Sequence, residues 1–319
     1  MKSRRRASAL NVGWKDYWPA PKRMSLVLAW RGLPRELRPS WSDRESAWLP
    51  KPNDTAMRAY EHAYYLSDVA KNRDARGAVR CFREAACQGN FDALNDLAVH
   101  YWNGDGVRRD RAMAIELFEV AHELGDRIAS LALAKSYTAL GRTRRAFGLY
   151  LHLAVTGFIP AYSKVALHLS NRRDTRSRHD AVRWYERVLA DPVDVEQKRD
   201  AQFRLATLHE RGRGTKRDMK RALQLYRAAA RNGDGGAHHE LGWLYCNGVG
   251  VTKDSRRGLD HYRQAAELGN AVSMFNLGVE YSDGGRVVPD ARLAAQWFTK
   301  AAKHGHPKAG RYLARLRRR

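Results

Sequence analysis

Residues 237–269 read AHHELGWLYCNGVGVTKDSRRGLDHYRQAAELG, and this stretch decides the fold. Apolar or small residues at Ala237, Leu241, Gly242, Leu244 and Tyr245 form a helical stripe. Gly248-Val249-Gly250 breaks that helix, because glycine tolerates the positive φ of a helix end. Asp254 is placed to cap a second helix by accepting from the free N–H groups of its first turn. That helix shows Gly258, Leu259, Tyr262, Ala265 and Ala266 on one face, and Gly269 ends it. The stretch is predicted to be helix A, a Gly-rich turn, helix B and a short turn. Small residues let the two helices approach, and Tyr262 fills the gap beside them.

The markers return every 36 residues: Gly212 and Gly214, then Gly248 and Gly250, with Asp218, Asp254 and Asp290 behind them. Each unit closes on two alanines and a glycine, as in Ala229-Ala230 with Gly233 and Ala301-Ala302 with Gly305. Three periods upstream stand Gly104, Gly106, Asp110 and Gly125. An earlier unit lacks the glycine pair but keeps Tyr65, Asp74, Ala78, Phe82, Ala85 and Gly89. Two middle units are irregular, one turning at Ala139-Leu140-Gly141-Arg142 and one carrying extra residues around Asp191-Pro192. A fixed period of this length marks a stacked repeat array, and seven units fit residues 55–306. Residues 307–319 are expected to form a basic capping helix. Such an array points to a binding surface and away from a catalytic pocket.

The pattern resembles the Sel-one-like repeat, a relative of the tetratricopeptide repeat. Ala237, Leu241-Gly242, Tyr245, Gly248, Gly250-Val251, Asp254, Tyr262, Ala265-Ala266 and Gly269 carry the match. The resemblance implies an all-α fold, an α/α right-handed superhelical solenoid, that works as a protein–protein interaction scaffold or adaptor. It supplies no catalytic residues.

Positions two, six and nine after the leading alanine of helix A point away from the apolar stripe. They include Asn95, Val99 and Trp102, then Phe203, Thr207 and Glu210, then His239, Trp243 and Cys246, then Phe275, Val279 and Ser282. A solvated helix face is polar, and this set is about half apolar. Flanking helices account for part of that excess. The remainder fits a concave groove that takes a partner segment, with Trp102, Phe203, Trp243 and Phe275 as anchors. Asn95, Asn103, His239 and Asn247 would supply hydrogen bonds to an extended peptide.

The first 54 residues lie outside the period and hold five of the nine Trp and six of the ten Pro. This basic arm is predicted to cover the apolar end of the first repeat or to lie in the groove. The formal charge is +24, and it concentrates in Asn171–Arg178 and between Ala201 and Asp234. An acidic partner surface is the expected match, and a nucleic-acid-associated basic repeat protein is the alternative. No run reaches the length of a membrane span. The three cysteines cannot all pair within the chain, which fits a reducing, cytoplasmic setting. His239 and Cys246 lack companions at metal-ligand spacing, and the Gly-x-Gly pairs lack the strand and Lys-Ser/Thr of a nucleotide loop. Neither a cofactor, a metal, a small-molecule substrate nor enzyme activity is inferred.

Overall fold

A computed structural model describes residues 54–64, 66, 74–88, 90 and 92–316. The Trp-rich arm before Asp54, the markers Tyr65 and Gly89, and the final arginines 317–319 lie outside the described residues. The described chain is all-α, with fifteen α-helices and no strand. It divides into two compact units, one ending at Ala161 and the other starting at Tyr162.

In the first unit, helix α1 (Asp54–Tyr64) pairs with α2 (Ala75–Cys87), α3 (Asp92–Asn103) with α4 (Arg111–Glu123), and α5 (Arg127–Ala139) with α6 (Thr143–Val155). In the second, α7 (Tyr162–Ser170) pairs with α8 (Thr175–Ala190) and α9 (Val195–Arg211) with α10 (Met219–Arg231). There α11 (Gly235–Asn247) then pairs with α12 (Ser255–Glu267) and α13 (Ala271–Asp283) with α14 (Ala291–Lys303). The last helix, α15 (Ala309–Leu316), packs on α14. Within each unit the second helix of a hairpin also packs on the first helix of the next, which is the solenoid arrangement.

The recurring aspartates explain where each second helix starts. Asp110, Asp218, Asp254 and Asp290 accept from the backbone N–H of Met113, Arg221, Arg257 and Leu293 at 2.8–3.0 Å. Their own N–H groups close the loop by donating to the carbonyls of Tyr101, His209, Tyr245 and Tyr281 at 2.8–2.9 Å. The same residue type therefore ends one helix connection and begins the next helix. Asn270 starts α13 in the same way, accepting from Ser273 N–H at 2.9 Å.

The glycines inside helices serve close approach. A Cβ on Gly242 would lie 2.6 Å from the Tyr262 ring, and one on Gly258 would lie 2.4 Å from Cys246 Sγ. Helices α11 and α12 therefore meet backbone to backbone, with Tyr262 buried beside the contact. Leu241 of α11 and Leu277 of α13 are fully buried, each contributing roughly 1.5–3 kcal/mol of apolar burial. The irregular middle units keep the hairpin form. The shorter one turns through Gly141 at positive φ, and the longer one places its extra residues in α8 and α9, of 16 and 17 residues.

Candidate partner-binding face

The residues predicted to line a groove fall into two groups, one in each unit. Asn95, Trp102 and Asn103 belong to α3 in the first unit, while Phe203, His239, Trp243, Asn247 and Phe275 belong to α9, α11 and α13 in the second. In the second unit, side chains tie these first helices together. A Cβ on Gly236 of α11 would stand 3.3 Å from the Phe203 ring of α9. Ser273 of α13 lies 2.8 Å from His239 Nδ1 of α11.

Within that face the five residues have different surroundings. Trp243 is 43% exposed, an unusual state for an indole in a helix whose Leu241, Leu244 and Tyr245 are buried. Asn247, one turn on, is exposed and donates to the Trp243 carbonyl at 2.8 Å. Its Oδ1 lies 3.5 Å from the Arg286 guanidinium, which is paired with Glu280. Phe203 is half-buried, tilted against Tyr226 with centroids 5.8 Å apart. His239 is half-buried against Tyr262, and burial holds its imidazole below the usual histidine range. Phe275 stacks on His306 at 4.2 Å and meets Tyr312 of α15 edge-on at 4.9 Å. Its ring is already engaged by the end of the chain.

Cys246, expected on the outward set, is instead 1% exposed. It turns inward because Gly258 leaves room for its Sγ. Burial pushes its thiol above the ordinary range. All three cysteines are free thiols. His239 and Cys246 therefore point to different environments, and no cluster of three or more potential metal ligands occurs among the described residues.

In the first unit, Trp102 is half-buried with the Arg111 guanidinium 5.1 Å over its ring. Asn95 donates to Asp96 at 3.2 Å, and Asp96 accepts from the Tyr60 hydroxyl at 2.9 Å. Burial raises the Asp96 carboxyl above its ordinary range. Asn103 lines a cavity of about 530 Å³ with Phe82, Asp96 and His100.

The first-helix face of the second unit is not only apolar. Glu210 accepts from Tyr226 at 2.7 Å, and burial together with Glu210 raises the Glu240 carboxyl. Sequence reasoning also missed a recurring clasp between hairpins. Arg227 donates to the Tyr245 hydroxyl at 2.9 Å and Arg263 to Tyr281 at 3.4 Å, with Arg83 and Tyr101 paired likewise. Each pair is separated by 18 residues, half the repeat. An arginine half a period before Tyr101, Tyr245 and Tyr281 was the available signal. At Tyr137 that position is Glu119, which accepts from the Tyr137 hydroxyl.

A family model of the Sel1 repeat matches residues 59–90, 91–126, 199–234, 236–270 and 271–306. The unmatched interval holds the two irregular hairpins, α5/α6 and α7/α8. The structure is similar to that of c5321, a protective antigen of uropathogenic Escherichia coli with an SLR fold. That likeness has a TM-score of 0.66 and 22% identity, over 96% of this chain and 67% of the antigen. It is also similar to a Sel1 repeat protein from Oxalobacter formigenes, with a TM-score of 0.62 and 25% identity, over 76% of this chain and 99% of that one. Comparison with curated proteins finds no match. Repeat phase, hairpin geometry and the five matched segments agree: the chain belongs to the Sel1 repeat family.

Proposed function

We propose that the protein is a non-catalytic scaffold that holds a protein partner on the face formed by α9, α11 and α13. The observation that carries this reading is Trp243, a large ring left 43% exposed one turn beyond the half-buried His239 on α11. Aromatic anchors of this kind dominate binding energy at interfaces. Asn247 and the Arg286–Glu280 pair give the ring a polar rim. The general role of Sel1 repeats in protein–protein interaction supports the same reading.

The free thiols support a cytoplasmic setting, and no helix among the described residues is long and apolar enough to cross a membrane. We assign the Trp-rich arm to covering the first hairpin, where Met57 and Tyr64 are 39% and 51% exposed. Deleting residues 1–53 should then lower the melting temperature. Unchanged stability with stronger partner binding would place the arm in the groove instead.

The test of the main reading begins with affinity capture and identification of a partner, followed by calorimetry with the purified pair. Trp243→Ala should weaken binding by at least tenfold, about 1.4 kcal/mol or more, with an unchanged circular dichroism spectrum. An unaltered Kd for the folded variant would remove this face as the binding site. Phe203→Ala is a poorer probe, because Phe203 also packs beneath Gly236.

A further inference from the structure

The two densest runs of basic residues are distant in sequence and adjacent in space. The connection between α9 and α10 packs on the start of α8. A Cβ on Gly214 would lie 2.3–2.4 Å from the Arg178 carbonyl carbon and oxygen, and His179 Nδ1 stands 3.1 Å from the Gly214 carbonyl. This contact brings the end of the basic run 171–178 against the loop that carries Arg213 and Lys216. The ridge continues onto α10 through Lys220 and Arg221.

All five side chains are exposed, and none forms an ion pair with an acid among the described residues. Three acids of these segments are committed elsewhere, while the exposed Glu186 of α8 faces His209 together with Arg221. Asp174 and Asp218 cap helices through Ser177 and Arg221 N–H, and Asp180 is buried.

We infer that this ridge is a docking surface for an acidic polypeptide segment, one rich in Asp and Glu. Three features favour that occupant. Arginine forks match carboxylates with paired N–H donors. The partner face of the same unit carries Glu210 and Glu240, so an acidic segment is repelled there and attracted to the ridge. Of the aromatic rings nearest the ridge in sequence, Tyr226, Tyr162 and Trp184 are buried, and the half-buried Phe203 is packed against Gly236 and Tyr226, so nucleic-acid bases find no free stacking platform on them. The inference deepens the scaffold reading by naming a chemical class of partner, and it uses residues separate from Trp243.

The test is fluorescence anisotropy with a labelled Glu/Asp-rich peptide and a single-stranded RNA of equal length and charge, on the full chain. Both are measured at about 50 mM and about 300 mM salt. The charge reversal Arg173→Glu/Arg213→Glu/Lys216→Glu is compared with Arg231→Glu/Lys303→Glu/Arg311→Glu, which removes equal charge at exposed positions elsewhere. The expected result is peptide binding that the ridge variant loses by roughly tenfold or more and the control by less than about threefold. The RNA should bind more weakly than the peptide at both salts. Tighter RNA binding, equal loss in both variants, or no peptide binding at about 50 mM salt would overturn the inference. A failure here with the Trp243 dependence intact removes the ridge and leaves the scaffold reading standing.

Discussion

Gly214 carries two constraints in one residue. Its φ is +76°, and its α-carbon sits where a methyl group would strike the Arg178 carbonyl. Gly233 shares the positive φ, at +81°, but a Cβ there would meet nothing within 4 Å. The pair separates conformational cost from steric cost. Gly233→Ala should destabilise by about 1 kcal/mol and Gly214→Ala by roughly 2–4 kcal/mol, read from urea unfolding. Equal losses would mean that the loop yields freely to the added methyl. Capping is the other residue-scale test. Asp254→Ala should cost about 1 kcal/mol, because it frees the Arg257 N–H that Asp254 accepts at 3.0 Å. A melting curve that matches the parent would show that the loop-closing bond to Tyr245 sets the helix start alone.

Between elements, pairs of histidines make the hairpins sensitive to acid. His238 of α11 and His261 of α12 face each other with their Nδ1 atoms 3.0 Å apart, so one nitrogen donates and the other must be unprotonated. Burial, with His238 beside it, brings His261 down to about 4. Arg227 pushes the same way, while Asp260 opposes it. Burial and the neighbouring His152 likewise bring His122 down to about 4. An unfolded histidine titrates at about 6.5, so between these limits the unfolded chain binds more protons. The stabilisation is full above about pH 6.5 and is lost as pH falls toward 4. The melting temperature should drop across that window, and His261→Asn should flatten the drop. An unchanged slope would assign the acid sensitivity to other groups.

At the scale of the whole molecule, what repeats was legible in the sequence and what does not was harder to read. Asp218, Asp254 and Asp290 recur in phase because each cap is a local contact within four residues, and the family match rests on the same positions. The hairpins α5/α6 and α7/α8 were readable as irregular units because apolar spacing survives where glycine markers do not. The outward set was less legible. Trp243 and Phe275 both belong to the outward set, yet Tyr312 of α15 meets Phe275 edge-on while Trp243 stays 43% exposed. Cys246 turns inward for a reason that lies on another helix, at Gly258. The union of the two arginine runs depends on a contact 36 residues apart, between Gly214 and Arg178. Facing and contact of this kind belong to tertiary packing, which one helix's periodicity does not encode.

The central claim is that the α9, α11 and α13 face binds a protein partner through Trp243. Hydrogen–deuterium exchange on the purified complex tests it most directly. The account predicts that slowed exchange on binding concentrates in peptides from α11 around Trp243, extending into α9 and α13. Slowing confined to the outward faces of α10, α12 and α14, with α11 unchanged, would contradict it.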